Sequence, residues 1–381
     1  MKKYRIGEVT ENLDNLRKPL NSIQRSSISK KKLYPYYGAN NLIDYVDEYI
    51  FDEEILCVAE DGGSWGYKEK CTYIVNEKCW VNNHAHVLRA KDNLNIAYLS
   101  YYLNYNDLNS HITGTTRGKL TKSALSNIEI LLPELEKQNI IVEILDKAQE
   151  LIDRRKEQIA MLDELVKSQF IEMFGDKDKY TYIKIEQLVS NKSDIVDGPF
   201  GSNLKTVDYV DDGVRVIQIN NIGESNFRDK NKKYITEEKY KSLLKHSVVP
   251  GDIVVAKMGE PIGRACILPD YISKAVIVAD CMKIRPNLAI INRKYLEFLL
   301  NTEEVKAQFR KYSQGSTRVR LNLTMLRQIK VLYTPIELQN QFADFVKQVD
   351  KLKFEMEKSL KELEDNFNSL MQKAFKGELF N

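Results

Sequence analysis

The string GTTRGKLTKSALSNIEI, which begins at Gly114, returns in altered form at Gly315 as GSTRVRLNLTMLRQIKV, 201 residues further on. The same offset pairs Thr116 with Thr317, Arg117 with Arg318, Leu120 with Leu321, Leu125 with Leu326 and Ile128 with Ile329. It goes on to pair Glu136 with Glu337, Gln138 with Gln339, Asn139 with Asn340, Leu162 with Leu363 and Phe174 with Phe375. A repeat this long means two domain-sized copies, not a solenoid of short units. The 381 residues must therefore fold as two related halves.

Each copy leads into a stretch that reads as a helix. Pro133 and Pro335 mark the start, where a missing N–H costs nothing. In the first copy Ile141, Leu145, Ala148, Ile152, Ile159, Leu162, Val166 and Met173 fall on a four-three spacing, with one polar member, Arg155. In the second the seam is Phe342, Val346, Val349, Met356, Leu360, Leu363, Phe367 and Ala374, with Lys353 as its polar member. Positions off the seam are largely Lys, Glu, Asp and Gln, and an apolar stripe of this kind needs a partner. A helix of about 40 residues is roughly 60 Å long at 1.5 Å per residue, which outruns a small domain. The expectation is that the two helices pair with each other rather than each on its own globular segment. A two-fold relation between the halves would make that pairing antiparallel and put the globular segments at opposite ends.

Residues 1–132 and 177–334 read as mixed α/β segments, and 133–176 and 335–381 as the helices. Short β-rich runs at 54–58, 214–219 and 252–256 lie between Gly, Asn and Asp turn signals. Helical stretches come late in each segment, at 96–108 and 293–312. The fold class is α+β, duplicated about a pseudo-two-fold axis, with two mixed α/β domains and a coiled coil of two long antiparallel helices. The globular parts match poorly except in layout, which suggests one scaffold presenting two different specificities.

Chemistry for catalysis is hard to find. Gly114–Leu120 is one residue short of a phosphate-binding loop and has Leu where a magnesium-binding hydroxyl should stand. Asp197-Gly-Pro-Phe200 is broken by its Gly as an amino-methyltransferase element, and no Gly-rich loop for a methyl donor accompanies it. The four histidines adjoin no nucleophile motif. Cys57, Cys71, Cys79, Cys266 and Cys281 are odd in number and form no CxxC, which argues against a disulfide framework. Cys71, Cys79, His84 and His86 fit no common zinc spacing and read as ordinary buried or interface residues. No catalytic residue, metal or cofactor is expected in the chain. Mean hydropathy is −0.42, no run of 18 apolar residues occurs, and the start lacks the apolar stretch of a signal peptide, so no membrane span and a cytoplasmic location are expected.

Amide-rich, aromatic and basic loops remain. The net charge of +3 says little, but 57 basic and 54 acidic groups can sit on different faces. Asn and Gln can bond adenine bidentately, Arg can bond guanine, and hydroxyls serve either base. Candidate DNA contacts in the first half are Tyr36, Tyr37, Asn40, Asn41, Ser64, Trp65, Thr116, Arg117, Lys119 and Lys122. In the second half they are Phe200, Ser202, Asn203, Lys205, Gln218, Asn220, Asn221, Lys257, Arg264, Ser316, Thr317, Arg318 and Arg320. The repeated Gly-Ser/Thr-Thr-Arg loops suit phosphate contact. The competing reading is that Gly and Asn are there for backbone geometry in turns.

Gly315-Ser-Thr-Arg318 with Leu326, Ile329, Pro335 and Gln339 ahead of a long helix resembles the C-terminal repeat of the specificity subunits of type I restriction–modification systems. Gly114 to Gln138 resembles the internal copy. Gly198-Pro-Phe-Gly-Ser-Asn-Leu-Lys205, Gly251-Asp-Ile253 and Gly259 with Gly263-Arg264 resemble motifs of that family's target recognition domains. Tyr36-Tyr-Gly-Ala-Asn40 with Asp61-Gly62 resembles another variety of the same domain. The likeness spans nearly the whole chain, with Val319-Arg320 in place of Gly118-Lys119 as a departure. It implies a non-catalytic subunit whose two target recognition domains each read half of a split site in double-stranded DNA. It further implies that the helices measure the spacer and dock two methyltransferase subunits, which methylate adenine from S-adenosylmethionine. Restriction subunits using ATP and magnesium would join them. A coiled-coil scaffold binding only proteins, or a DNA-modifying enzyme acting alone, are the alternatives.

Overall fold

The computed structural model describes residues 1–114, 116–313 and 320–380. Contacts divide the chain into two units, Met1–Gln158 with Met356–Asn381, and Ile159–Glu355. The divisions fall inside two long helices, Leu135–Phe174 and Ile336–Lys376. Each helix begins in one unit and ends in the other.

In the first unit an antiparallel sheet orders its strands Thr10–Asn12, Ala85–Ala90, Ile55–Ala59 and Thr72–Val75. Its central strand Ile55–Ala59 is buried along its whole length, as a β-branched and apolar run with covered faces should be. A second sheet pairs Tyr34–Gly38 with Asn41–Val46 antiparallel and with Trp80–Val81 parallel. The second unit repeats the plan. Ile195–Asp197, Cys281–Ile284, Ile253–Ala256 and Ala265–Ile267 form the antiparallel sheet in the same order. Val214–Ile217 pairs with Lys233–Ile235 antiparallel and with Ala275–Ile277 parallel, and Ser247–Val248 adds one more strand. The shared layout expected from sequence is thus a shared topology. The expected helix at 293–312 breaks in two, Arg293–Asn301 and Glu303–Ser313.

The repeated residues build the frame. Lys2–Arg5 pairs with Glu129–Leu132 and Thr181–Lys184 with Lys330–Tyr333. The main chain of Ile6 donates to Ile128 O and that of Ile185 to Ile329 O, both at 3.0 Å. Gln138 and Gln339 are fully buried at the starts of the long helices. Gln138 Oε1 accepts from Asn95 N and Gln339 Oε1 from Asn292 N, each at 2.8 Å. Their amide groups donate to Pro133 O and Thr334 O. A buried amide that meets partners on both sides offsets its desolvation and fixes the exit angle of the helix.

The heptad seam is where the two helices meet, and the pairing is antiparallel. In the first unit Ile141 and Leu145, early in the first helix, share a core with Met371, Ala374 and Phe375, late in the second. In the second unit Phe342 and Val346 share a core with Phe174, with Val166, Phe170 and Met173 packed against it. Burying each such side chain stabilises by roughly 1.5–3 kcal/mol. The polar member Lys353 binds Asp163 at 2.7 Å, and Lys156 binds Glu364 at 3.2 Å. At their ends the helices also pack on globular segments, so seam pairing and packing on the domains hold together. No helix among the described residues is long and apolar enough to cross a membrane.

Candidate nucleic-acid interface

Leu120 and Leu321, which follow the repeated Gly-Ser/Thr-Thr-Arg strings, sit at the ends of the central strands. Leu120 N donates to Glu60 O, one residue past Ile55–Ala59, at 2.8 Å. Leu321 N donates to Lys257 O, one residue past Ile253–Ala256, at the same distance. Both leucines are buried. Thr121 and Asn322 then cap the short helices Lys122–Asn127 and Leu323–Gln328.

Among the described residues, Arg117, Lys119 and Arg320 of the loops are balanced within the fold. Arg117 Nη2 donates to Asp61 Oδ1 at 3.1 Å, and His84 Nδ1 lies 2.8 Å from the same oxygen. Lys119 pairs with Glu60 at 2.9 Å, and Arg320 with Asp280 at 2.7 Å. Burial alone would raise Glu60, but Arg17 and Lys119 hold its carboxyl below the usual range. Phosphate contact by Arg117, Lys119 or Arg320 would exchange one anionic partner for another. Thr116 and Lys122 are exposed nearby. Ser316, Thr317 and Arg318 lie outside the described residues.

Several candidates are committed to the interior. Tyr36 is 1% exposed, packed with Val46 and Trp80, with Arg25 over its ring. Trp65 is 6% exposed and donates to Ala59 O. Asn221 is fully buried, donating to Arg228 O and Lys230 O and accepting from Gln218 N. Lys257 is buried against Asp197 at 2.8 Å. Arg264 spends its guanidinium on Ile222 O and Ile219 O, and burial lowers its affinity for the proton. At these positions the side chains fill the core, close turns or balance a buried charge. Tyr37 donates to Glu77, and burial, then the Glu77 carboxylate, raises the Tyr37 phenol.

The rest face solvent. Asn40, Asn41 and Ser64 are exposed in the first unit, with Asn40 Nδ2 on Gly62 O. In the second unit Phe200 is 85% exposed, with Ser202, Asn203 and Lys205 around it, while Gln218 is half-buried and Asn220 exposed. The loop under Phe200 is held tightly. A Cβ at Gly198 would meet Val278 O at 1.9 Å, and Asn203 N donates to Phe200 O at 2.8 Å. An aromatic ring surrounded by hydroxyl, amide and ammonium groups suits a groove, where apolar contact and base-edge hydrogen bonds are read together.

All five cysteines are buried thiols, and burial pushes Cys71 and Cys79 up to about 12. Cys71 and Cys79 lie in different core clusters. The cluster that sequence reasoning missed is Asp14, Glu60 and His86, whose ligating atoms converge within 4.8 Å. Arg17 reaches into it, at 2.7 Å from Glu60 and 3.3 Å from Asp14. His86 Nε2 is spent on Leu120 O at 2.8 Å. The cluster is an ion network fastening the loop to the sheet.

Two unlike β-layered units on one repeated frame, with polar loops at matching strand ends, define a duplicated recognition subunit. The family model for the type I restriction modification DNA specificity domain matches residues 1–163 and 173–365, and the chain belongs to that family. A Methanocaldococcus jannaschii relative, the specificity subunit of the type I restriction enzyme MjaVIII, is 24% identical over 91% of this chain and 86% of its own. A Haemophilus influenzae protein provisionally named as a type I restriction enzyme specificity subunit is 39% identical, over 37% of this chain and 35% of its own length. The fold is that of the S subunit of a type I restriction–modification system from M. genitalium, with a TM-score of 0.60 at 15% identity, covering 98% of this chain and 96% of that one.

Proposed function

We propose that this chain, as a specificity subunit, reads a bipartite site in double-stranded DNA, one half-site to each globular unit. The observation that carries the reading is a frame of matched residues, repeated around two β-layered units whose exposed loops differ. Asn40, Asn41 and Ser64 face one half-site; Phe200, Ser202, Asn203, Lys205 and Asn220 face the other. The loops at Gly114 and Gly315 contact phosphate. The chain itself carries no catalytic group. Two methyltransferase subunits dock on the long helices, bind S-adenosylmethionine and methylate adenine, and restriction subunits add ATP- and magnesium-dependent cleavage in the cytoplasm.

Two matching apolar spots support the docking of two partner copies. Leu151 is 53% exposed, and Leu352, its equivalent at the offset of 201, is 47% exposed. Ile144 and Phe345, also equivalent, lie one heptad earlier on the same stripe and are half-buried. Apolar side chains repeating along a helix outside its seam mark a surface for another helix.

Selection of random duplexes by the assembled complex tests the reading, and two fixed half-sites with a fixed spacer are the expected result. Selection of no sequence would leave a scaffold that binds only proteins. Methyl transfer or cleavage by the purified chain alone would establish an enzyme instead. The measuring role has its own test. Seven residues inserted after Gln158 and after Lys358 add about 10 Å to each helix at 1.5 Å per residue. The selected spacer should lengthen by about three base pairs at 3.4 Å each, with both half-sites unchanged. Altered half-sites with an unaltered spacer would refute it.

A further inference from the structure

Lys30, Lys31 and Lys32 follow the short helix Ser22–Ser27 and lead into the strand Tyr34–Gly38. A lysine run is ordinarily a solvated face with nothing to recommend it. This one is built. The carboxylate of Asp47 accepts all three main-chain N–H groups, from Lys31 and Lys32 on Oδ1 at 2.7 Å and from Lys30 on Oδ2 at 3.0 Å. Asp47 N in turn donates to Ile28 O at 2.6 Å, so the turn is tied at both ends. Lys32 has φ of 52°, a left-handed conformation that residues other than Gly, Asn and Asp seldom adopt. Some burial acts against the Asp47 charge, but the three N–H groups and, less strongly, Lys31 hold the carboxyl below its usual range.

The consequence is electrostatic. Asp47 turns both of its oxygens toward the main chain, and the three lysine side chains are left exposed. Among the described residues none of their ammonium groups makes an ion pair. The cations of the repeated loop contrast with this, since Arg117 already faces Asp61 and Lys119 faces Glu60. The first unit therefore offers three consecutive uncompensated cations at a strained, tied turn, whereas Arg117 and Lys119 of the repeated loop already face carboxylates.

We propose that Lys30, Lys31 and Lys32 form a phosphodiester-binding site, a sequence-independent grip of the first unit on DNA. The site rests on the DNA-binding reading above and adds to it residues outside the motifs that carry that reading. Consecutive ammoniums on a fixed turn suit a linear polyanion, where each phosphate neutralised releases a counterion and steepens the salt dependence of binding.

The test uses the full chain with its co-purifying subunits and a labelled random-sequence duplex, titrated across a range of potassium chloride. Alanine at all three positions should flatten the plot of log affinity against log salt by about two to three units, near 0.9 per lost contact, and weaken binding about 10²-fold at 0.1 M salt. Arginine at all three should restore the slope. Lys31→Glu alone should weaken binding at least as much as one lost contact, and it alters a single exposed side chain should the triple variant fold poorly. Asp47→Asn keeps the ammoniums and loosens the turn, so affinity should fall several-fold with faster amide exchange at 30–32. An unchanged slope in folded alanine and Lys31→Glu variants overturns the site while leaving the DNA reading intact. A wild-type complex that binds no duplex overturns both. Binding of polyglutamate lost in the alanine variant, with duplex binding retained, would assign the turn to an acidic protein and overturn the proposal.

Discussion

Phe174→Ala is expected to destabilise the second unit by about 3–5 kcal/mol, the usual cost of emptying a phenylalanine site in a closed core. Phe174 ends the first long helix and is fully buried. Its ring centroid lies 5.1 Å from that of Phe170, 5.3 Å from Tyr295, and 5.9 Å from both Tyr180 and Phe342. Edge-on aromatic pairs add about 0.5–1.5 kcal/mol beyond their buried area, and this ring makes several. The helix that carries it began in the other unit, at Leu135. Phe375, its equivalent, ends the second helix among Tyr98, Tyr102 and Tyr105 of the first unit. Each unit is thus closed by the far end of the helix that the other launched. Amide exchange would separate the two sites. Phe174→Ala should release protection first in the strand Ile253–Ala256, and Phe375→Ala first in Ile55–Ala59. A loss below about 1 kcal/mol, or one spread evenly over both sheets, would contradict this latch.

The latch explains what was legible in the sequence. Gln138, Asn139, Phe174 and their partners at 201 meet equivalent main-chain, amide and aromatic partners in both halves, so their identity and spacing are held. Their contacts were out of sight because insertions shift the register between motifs. Asn95, Tyr98, Leu99, Leu103 and Asn104 reappear as Asn292, Tyr295, Leu296, Leu300 and Asn301, at an offset of 197 instead of 201. The structure shows why they recur. Asn95 and Asn292 cap their helices and reach Asn139 and Asn340, each at 2.8 Å. Tyr98 and Tyr295 donate to Leu131 O and Leu332 O. Asn104 and Asn301 accept from the main chain at the starts of equivalent strands, at Thr72 and Ala265. A search at one fixed offset passes over such a match.

At the candidate interface the sequence shows residue type but not exposure. Phe200, Ser202, Asn203 and Asn220 stood out as loop residues with base-reading groups, and the fold leaves them exposed. Asn221 and Lys257 carry the same kind of groups but face inward, because a turn needs its main chain satisfied and Asp197 needs a counter-charge. Sequence distance hides such pairings: Asp197 is 60 residues from Lys257, and Arg117 is 56 from Asp61. The lysine turn was hidden for the opposite reason. Only the position of Asp47 distinguishes it from an ordinary charged surface.

Lys294→Met is expected to cost about 3–5 kcal/mol at pH 7, as breaking a buried pair from one side does. Glu297 is 2% exposed, and its Oε1 accepts from Ile267 N at 2.8 Å, tying a helix to the strand Ala265–Ile267. Lys294 Nζ lies 2.9 Å from Glu297 Oε2 and 2.9 Å from Asp350 Oδ2. The contact with Oε2 is charge against charge, with no aligned hydrogen bond on that oxygen. Burial works against both charges. It raises Glu297 despite the nearby ammonium, whereas Lys294 ends above its usual value because the two carboxylates outweigh its burial. Without Lys294, Glu297 loses the opposing charge and rises further. A carboxyl raised in the folded state binds more protons there than in the unfolded chain, so its contribution falls as pH climbs from the unfolded value toward the folded one. The variant should therefore be weakest near neutrality and recover as the pH is lowered toward 5, with chemical denaturation as the measure. Adding Glu297→Gln removes the stranded charge, keeps an acceptor for Ile267 N, and should restore much of the loss while flattening the pH profile. A single variant whose deficit stays constant from pH 5 to 8 would show that Lys294 acts there through packing of its stem rather than through its charge.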